Sequence, residues 1–348
     1  MKIIVDAMGG DNAPQAIVQG ALDAHKLHGV DIILVGRAEE ILKAVEASGE
    51  KELPTGVEIK DAREVVEIED DPATAFKMKK DSSLTVGMNL LKAGEGDAFV
   101  SAGSTGALLA GATLLVKRIR GIRRAAMGPL VPVLGGRVIL CDCGANADCT
   151  AEYLLQFAFL GSYYVKKVCG VENPRVGLLN IGAEEAKGDA LRHEAYALLK
   201  EAGDAGRINF IGNIEANAVM MGEADVVVAD GFSGNIMLKS LEGTAKFLMQ
   251  ELKKMFMSGT KTKLAALMLK SNINELKGLL DPSEVGGTAF LGISKPVLKA
   301  HGSSDARAIS NAVLRAKEYA ESGFIEDIQQ NIEQMKVERG SEKVSTPS

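Results

Sequence analysis

Tryptophan is absent from the 348 residues and aromatics make up only 4%. A binding site in this chain therefore relies on bare amides and aliphatic walls more than on stacking rings. Long apolar runs are missing too. The longest, Ala107 to Val116, is interrupted by Gly111 and Thr113, and falls short of the ~18 residues that span a bilayer. The N-terminus, Met1-Lys2-Ile3-Ile4-Val5-Asp6, places an acid where a signal peptide is apolar, so nothing marks secretion. Only four cysteines occur, all between Cys141 and Cys169. That clustering suits reduced, buried cytosolic thiols rather than a disulfide framework. A net charge of -6 argues against general nucleic-acid binding. There is no Walker A loop, no Gly-x-Gly-x-x-Gly, no Gly-x-Ser-x-Gly elbow and no His-Glu-x-x-His. No metal site is expected: the thiols lack a His or Cys-x-x-Cys partner, and Asp6, Asp11, Asp142 and Asp230 suit caps and turns better than a magnesium cluster.

What the chain has in plenty is glycine, 38 residues, within a 46% hydrophobic composition that excludes disorder. Short β-branched runs alternate with amphipathic stretches. Strands are expected at Lys2–Val5, Asp31–Val35, Val57–Lys60, Ala98–Ser101, Val138–Cys143, Val176–Asn180, Ile208–Ile211 and Asp225–Ala229. Helices are expected at Pro14–His28, Ala38–Ala47, Ser83–Ala93, Thr105–Lys117, Ala151–Lys167, Lys187–Ala202 and Asn235–Met257. This alternation predicts an α/β fold with a mostly parallel sheet covered on both faces. The length exceeds the roughly 250–300 residues of a single core. Residues 1–335 are read as one large α/β domain, or two lobes of one, with a basic amphipathic helical hairpin at about 252–280 and a polar tail over 336–348.

In such a fold ligands bind beyond the carboxyl ends of the strands, where the unusual residues fall. Asp6 precedes Gly9 and Gly10. The run Gly103-Ser104-Thr105-Gly106 offers hydroxyls and bare amides at a helix start, suited to phosphate or to a tight turn capped by Ser104. Asp142 and Asn146 close one strand end; Asn180 and Lys187 lie beyond another, with Asn213 after a third. Lys187 suits phosphate binding, oxyanion stabilisation or a plain exposed charge. Asp230, Gly231 and Asn235 flank a turn that orients a ligand or caps the next helix. His301 suits proton transfer, a phosphate contact or a structural loop role. Two basic features stand apart. Lys117, Arg118, Arg120, Arg123 and Arg124 form a cluster that attracts an acidic partner or merely solvates a helix end. Between Leu252 and Leu280, Lys253, Lys254, Lys261, Lys263, Lys270 and Lys277 interleave with apolar residues at helical spacing, broken near Ser258-Gly259. That pattern suits a membrane surface, an acidic protein, or packing on the body or a second subunit.

Taken in order, these motifs resemble the bacterial acyl-carrier-protein:phosphate acyltransferases of phospholipid synthesis, over about residues 1 to 335. The matching segments are Asp6–Asp11, Ser101–Ala107, Asp142 with Gly144-Ala145-Asn146, Leu179–Gly182, Glu184–Gly188, Asp230–Asn235 and Lys299–Ser304. Three positions depart from the family pattern: Asn12 where His is common, Ser104 where Asn is common, and Arg123-Arg124-Ala125 for an Arg-Pro-Ala run.

The resemblance implies a three-layer α/β/α sandwich like those of phosphotransacetylases and isocitrate-type dehydrogenases. It implies transfer of a long acyl chain from acyl carrier protein to inorganic phosphate, in a cytoplasmic homodimer peripherally bound to membrane, with no metal, cofactor or nucleic acid. On that basis phosphate and substrate binding is expected at Asp6, Gly9, Gly10, Gly103, Ser104, Thr105, Gly106, Asp142, Asn146, Asn213, Gly231 and Asn235. Catalytic roles are expected of Lys187, Asn180, Asp230 and His301. The alternatives are a phosphate acetyl- or butyryltransferase using coenzyme A thioesters, a metal-dependent dehydrogenase, whose usual Asp-x-x-x-Asp spacing is absent, and a non-catalytic scaffold.

Overall fold

The computed structural model describes residues 1–280 and 286–337. The polar tail from residue 338 on lies outside the described residues, as do residues 281–285 beyond the hairpin. Two sheets, rather than one, carry the strands. The larger comprises β1 (Lys2–Asp6), β2 (Asp31–Gly36), β3 (Val57–Asp61), β4 (Ala98–Ser101), β5 (Ala126–Gly128), β11 (Thr288–Leu291) and β12 (Val297–Lys299), in the order β3-β2-β1-β4-β12-β11-β5. The smaller comprises β6 (Leu130–Val133), β7 (Gly136–Cys141), β8 (Arg175–Leu179), β9 (Asn209–Ile214) and β10 (Val226–Val228), in the order β6-β7-β10-β8-β9. Pairing is parallel except at β5–β11, β11–β12 and β6–β7. The central strands are apolar on both faces, as expected of parallel strands sandwiched between helices: Ile3, Ile4, Val5, Val226, Val227 and Val228 are all buried.

Helices α1 (Gln15–His28), α2 (Ala38–Ala47), α4 (Ser83–Ala93) and α12 (Ala306–Glu321) cover the larger sheet, with the short α3 (Ala75–Met78) and α5 (Thr105–Gly111) between them in the chain. Helices α6 (Ala151–Cys169) and α7 (Ala190–Asp204) pack on the smaller sheet, and α8 (Ala216–Met220) lies beside β6. Helix α9 (Gly231–Met257) is followed by α10 (Thr260–Met268) and α11 (Lys270–Leu280), and α13 (Phe324–Gln330) packs on α6. The few rings are used as a cluster: Tyr164, Tyr319 and Phe324 meet edge to face, with centroids 5.3 to 6.0 Å apart.

Several boundaries move for local reasons. The helix expected from Lys187 begins at Ala190, because Gly188 adopts φ +101° and Asp189 accepts the Arg192 N–H as the cap. Lys187 therefore sits in a loop. The helix expected from Asn235 begins at Gly231, capped by Asp230, which accepts the Ser233 N–H. The helix expected over Thr105–Lys117 is α-helical only to Gly111 and widens into a π-turn over Ala112–Val116.

The two sheets meet at the Asp142 turn. Asp142 is fully buried. Its Oδ1 accepts the N–H groups of Met127 on β5 at 2.8 Å, Cys143 at 2.7 Å and Ala145 at 3.3 Å. Its Oδ2 accepts the Asn146 N–H at 2.7 Å and Nδ2 at 3.1 Å. One carboxylate thus joins the edge strand of the larger sheet to the end of β7 in the smaller. Asp142→Ala leaves these buried donors without an acceptor and is expected to cost at least about 3 kcal/mol of stability. Urea unfolding checks this; a loss below about 1 kcal/mol would show that the turn does not depend on the carboxylate.

Candidate active site

The expected site residues divide between the two sheets. At the carboxyl edge of the larger sheet, the loops after β1, β4 and β12 interlock. Ser101 Oγ donates to Asp6 Oδ2 at 2.7 Å, the Met8 N–H donates to Asp6 Oδ1 at 3.1 Å, and the Gly103 N–H reaches Ser101 Oγ at 3.0 Å. A Cβ on Gly9 would lie 2.6 Å from Asp6 Oδ2 and 2.7 Å from the Gly103 nitrogen, so only glycine permits this approach. Gly10 packs as closely on Ala102 and Gly302. The Asp11 N–H donates to the Gly302 carbonyl at 2.8 Å, and Asn12 Nδ2 donates to the Ser303 and Ser304 carbonyls at 3.2 and 3.1 Å. Asn12 thus serves as a clasp between loops.

Asp6 is a correction to the expected substrate contacts. It is buried beneath the rim with both oxygens engaged by protein donors. Ser104 caps α5 and accepts the Ala107 N–H at 3.5 Å, while Gly103, Ser104 and Thr105 are half-buried and Gly106 is exposed. His301 is exposed, and its Nδ1 accepts the Ser303 N–H at 3.2 Å. Nδ1 also lies 2.8 Å from Ser303 Oγ, so Ser303 holds this side of the ring.

The second group lies at the carboxyl ends of β7, β8, β9 and β10. Asp142 and Asn146 are further corrections. The Asp142 oxygens are filled, and Asn146 Nδ2 donates to the Ala125 carbonyl at 2.8 Å as well as to Asp142, so both residues hold the turn rather than face a ligand. Burial raises the Asp142 carboxyl above the ordinary range, against the opposing pull of its N–H donors. Gly231 and Gly234 belong to the same turn: the Gly231 N–H donates to the Asn146 carbonyl at 2.7 Å, and a Cβ on Gly234 would fall 1.9 Å from the Asp142 carbonyl oxygen. Asn180 Nδ2 donates to the Lys187 carbonyl at 3.0 Å, and Asn213 Nδ2 donates to the Glu184 carbonyl at 2.9 Å, leaving Asn213 Oδ1 buried without a partner. The Lys187 side chain is exposed, as is Asn235. Asp230 is paired with Arg192, which also donates to Ser233 Oγ at 2.9 Å. Burial would raise the Asp230 carboxyl, but the Ser233 N–H and the Arg192 guanidinium together hold it below the ordinary value.

Two cavities flank α9. One, of about 310 Å³, lies between the sheets. Its walls are mainly apolar: Leu130, Val131 and Pro132 of β6, and Leu238, Leu241, Ala245 and Leu248 of α9. Its polar lining includes Thr105, Lys299 and His301, with Lys239 and Glu242 of α9. The other, of about 590 Å³, is lined by Asn180, Arg192, Ser233, Ile236 and Met237 among others. Leu241 lines both. Lys299 and Arg192 are two buried or half-buried charged lining residues that the sequence did not single out. Arg192 gave no signal beyond its position on a helix. Lys299 stands in the segment Lys299–Ser304, where His301 is the more conspicuous residue in sequence. Burial pulls the Lys299 ammonium down to about 8, although Asp6 and Asp11 act to raise it. Among the described residues no group of three or more His, Cys, Asp or Glu is placed to hold a metal ion, and no helix is long and apolar enough to cross a membrane.

The fold is shared with solved phosphotransacetylases and 4-hydroxythreonine-4-phosphate dehydrogenases. A phosphotransacetylase from Streptococcus pyogenes superposes with a TM-score of 0.62 at 18% identity, covering 92% of this chain and 94% of that one. The chain belongs to the family described as fatty acid synthesis protein, whose model matches residues 1–327. Among its relatives are proteins named phosphate acyltransferase from Acetivibrio thermocellus, 44% identical over 97% of this chain and 98% of the relative, and from Desulfitobacterium hafniense, 46% identical over 95% and 98%.

Lys299 also sets a pH signature. Its folded value of about 8 lies below the ordinary 10.5, so folding favours the neutral amine. The penalty for burying the charge is present in full below pH 8 and is relieved as pH rises from about 8 to 10.5. Lys299→Met is therefore expected to raise the melting temperature near pH 7 by several degrees, with the gain shrinking by pH 9.5. Thermal melts at the two pH values check it; a gain independent of pH would remove the charge as its cause.

Proposed function

We propose that this chain transfers a long-chain acyl group from an acyl carrier protein thioester to inorganic phosphate, giving acyl phosphate for phospholipid synthesis. Family membership supports acyl transfer to phosphate. The observation that carries the long-chain reading is the cavity between the sheets, whose aliphatic walls on β6 and α9 meet a polar lining from Thr105, Lys299 and His301. A flexible acyl chain suits such walls, and a thioester carbonyl suits the polar lining. Volumes of roughly 300 to 1,000 Å³ are usual for small-ligand sites, and about 310 Å³ is within that range.

The chemistry needs little beyond placement. A phosphate oxygen attacks the thioester carbonyl carbon, the C–S bond breaks, and the carrier thiolate leaves and takes up a proton. Holding phosphate in line and stabilising the tetrahedral oxyanion supply the acceleration. Gly103, Ser104, Thr105 and Gly106 bind phosphate at the rim, and His301 donates a proton to the departing sulfur. Asn180 lines the second cavity and Lys187 is exposed on the loop beyond β8, so their part is to hold anionic charge on that side of α9 rather than within the cavity between the sheets. The assay offers acyl carrier protein thioester or coenzyme A thioester with and without phosphate, and acyl phosphate is expected from the carrier thioester. Lys187→Ala is expected to lower turnover at least tenfold; unchanged phosphate-dependent turnover removes Lys187 from the mechanism. Preference for short coenzyme A thioesters would favour the acetyl- or butyryltransferase reading, which the fold of the Streptococcus pyogenes protein also accommodates.

The chain works in the cytoplasm as a homodimer that meets the membrane through the hairpin. Leu264, Leu267 and Met268 of α10 are 62, 69 and 80% exposed, and Lys261 and Lys263 stand beside them on the same short helix. This pairing of apolar and basic residues suits an anionic lipid surface, and the same lysines suit an acidic carrier protein. Replacing Leu264 and Leu267 by Glu is expected to release the protein from anionic vesicles in a flotation assay. Undiminished binding rejects the membrane contact and leaves the apolar face to the second subunit.

A further inference from the structure

We propose that Lys299 binds the phosphate substrate directly and is the principal positive charge of its subsite. The inference rests on the acyl-transfer reading above and adds a residue to it. Lys299 is the last residue of β12, paired in parallel register with Ser101 of β4. β4 in turn pairs with β1 through Val100 and Val5, which sets Ser101 beside Asp6, as their hydrogen bond shows. Paired residues of parallel strands project to the same face of a sheet. Asp6, Ser101 and Lys299 thus form one row across three neighbouring strands, directly beneath the Gly103–Gly106 loop.

The Lys299 side chain is more than nine-tenths buried, yet it lines the cavity between the sheets. An ammonium has three N–H donors. Two of them reach the main-chain carbonyls of Ala102, at 3.2 Å, and Ala300. Both acceptors are neutral, and among the described residues no carboxylate lies within 4.0 Å of Nζ. Asp6 and Asp11 act on it from further away without closing an ion pair. A buried charge satisfied only by neutral dipoles is costly, and a bound dianion removes that cost. The two carbonyls fix Nζ against the loop that carries Thr105, and the remaining N–H is left for a ligand in the cavity. Of the two reacting groups only phosphate arrives charged, since the thioester carbonyl gains charge only as the reaction proceeds. Lys299 therefore acts on phosphate binding first.

The test compares wild type, Lys299→Met and Lys299→Arg. Lys299→Met is expected to weaken binding of inorganic phosphate about tenfold or more in a calorimetric titration without acyl donor. It is also expected to raise the phosphate KM in the same proportion, with the thioester KM changed less than twofold. Lys299→Arg keeps the charge and recovers part of the affinity. Equal phosphate affinity in wild type and Lys299→Met overturns the proposal. If wild type binds phosphate and the variant does not, but no thioester yields acyl phosphate, the reaction assignment fails and the Lys299 site stands. A crystal of wild type grown with tungstate, a phosphate-shaped dianion, needs no variant: tungstate within hydrogen-bond distance of Nζ is expected, and tungstate bound away from Lys299 overturns the proposal.

Discussion

The Asp142 carboxylate is the constraint on which the rest of the molecule depends. It accepts from β5 of the larger sheet, from its own turn after β7 and from both nitrogens of Asn146. The Asn146 carbonyl in turn receives the first N–H of α9. Burial makes the ion expensive, and the converging donors offset that expense, so the group is stable only while all of them are in place. One anion therefore ties the edge of the larger sheet to the end of β7 and to the entry point of the helix that walls both cavities.

The functional consequence is a division of labour between sheets. The larger one supplies a rim of bare amides and hydroxyls with one buried ammonium beneath it. The smaller supplies β6 and the loops that carry Asn180 and Lys187. Neither sheet alone encloses the cavity, because Thr105 and Lys299 come from one and Leu130 to Pro132 from the other. The Asp142 tie between β5 and the end of β7 joins the two sheets that supply these halves.

Much of this was legible in the sequence. The eight expected strands all exist, and the first-sheet motifs do converge on one rim, because strand ends followed by glycine are a local signal. Three things were not legible. The division into two sheets depends on which strands pair, and that is decided by the three-residue β5 and by β11 and β12, too short to show a period. The roles of Asp6, Asp142 and Asn146 depend on which donors arrive from distant segments, so carboxylates that look ready for a ligand prove to be internal ties. Lys299 is the converse case. Nothing nearby in the sequence marks it as buried, since that follows from β12 lying between β4 and β11. The break expected near Ser258-Gly259 was visible because it is chemical: α9 stops at Met257, and Gly259 opens α10.

The contact between Gly234 and the Asp142 carbonyl has a geometric corollary. A helix that can approach a strand end only through glycines, here Gly231 and Gly234, has its rotation about its own axis fixed there. Each further residue turns by about 100°, so the phase set at Gly234 is inherited along all 27 residues of α9. Leu238, Leu241, Ala245 and Leu248 consequently face the cavity between the sheets, while Ser233, Ile236, Met237 and Ser240 face the other. Inserting one residue after Gly234 would turn the first stripe away from its cavity without changing any side chain in it. The length of that stretch is thus under as strict a constraint as its composition.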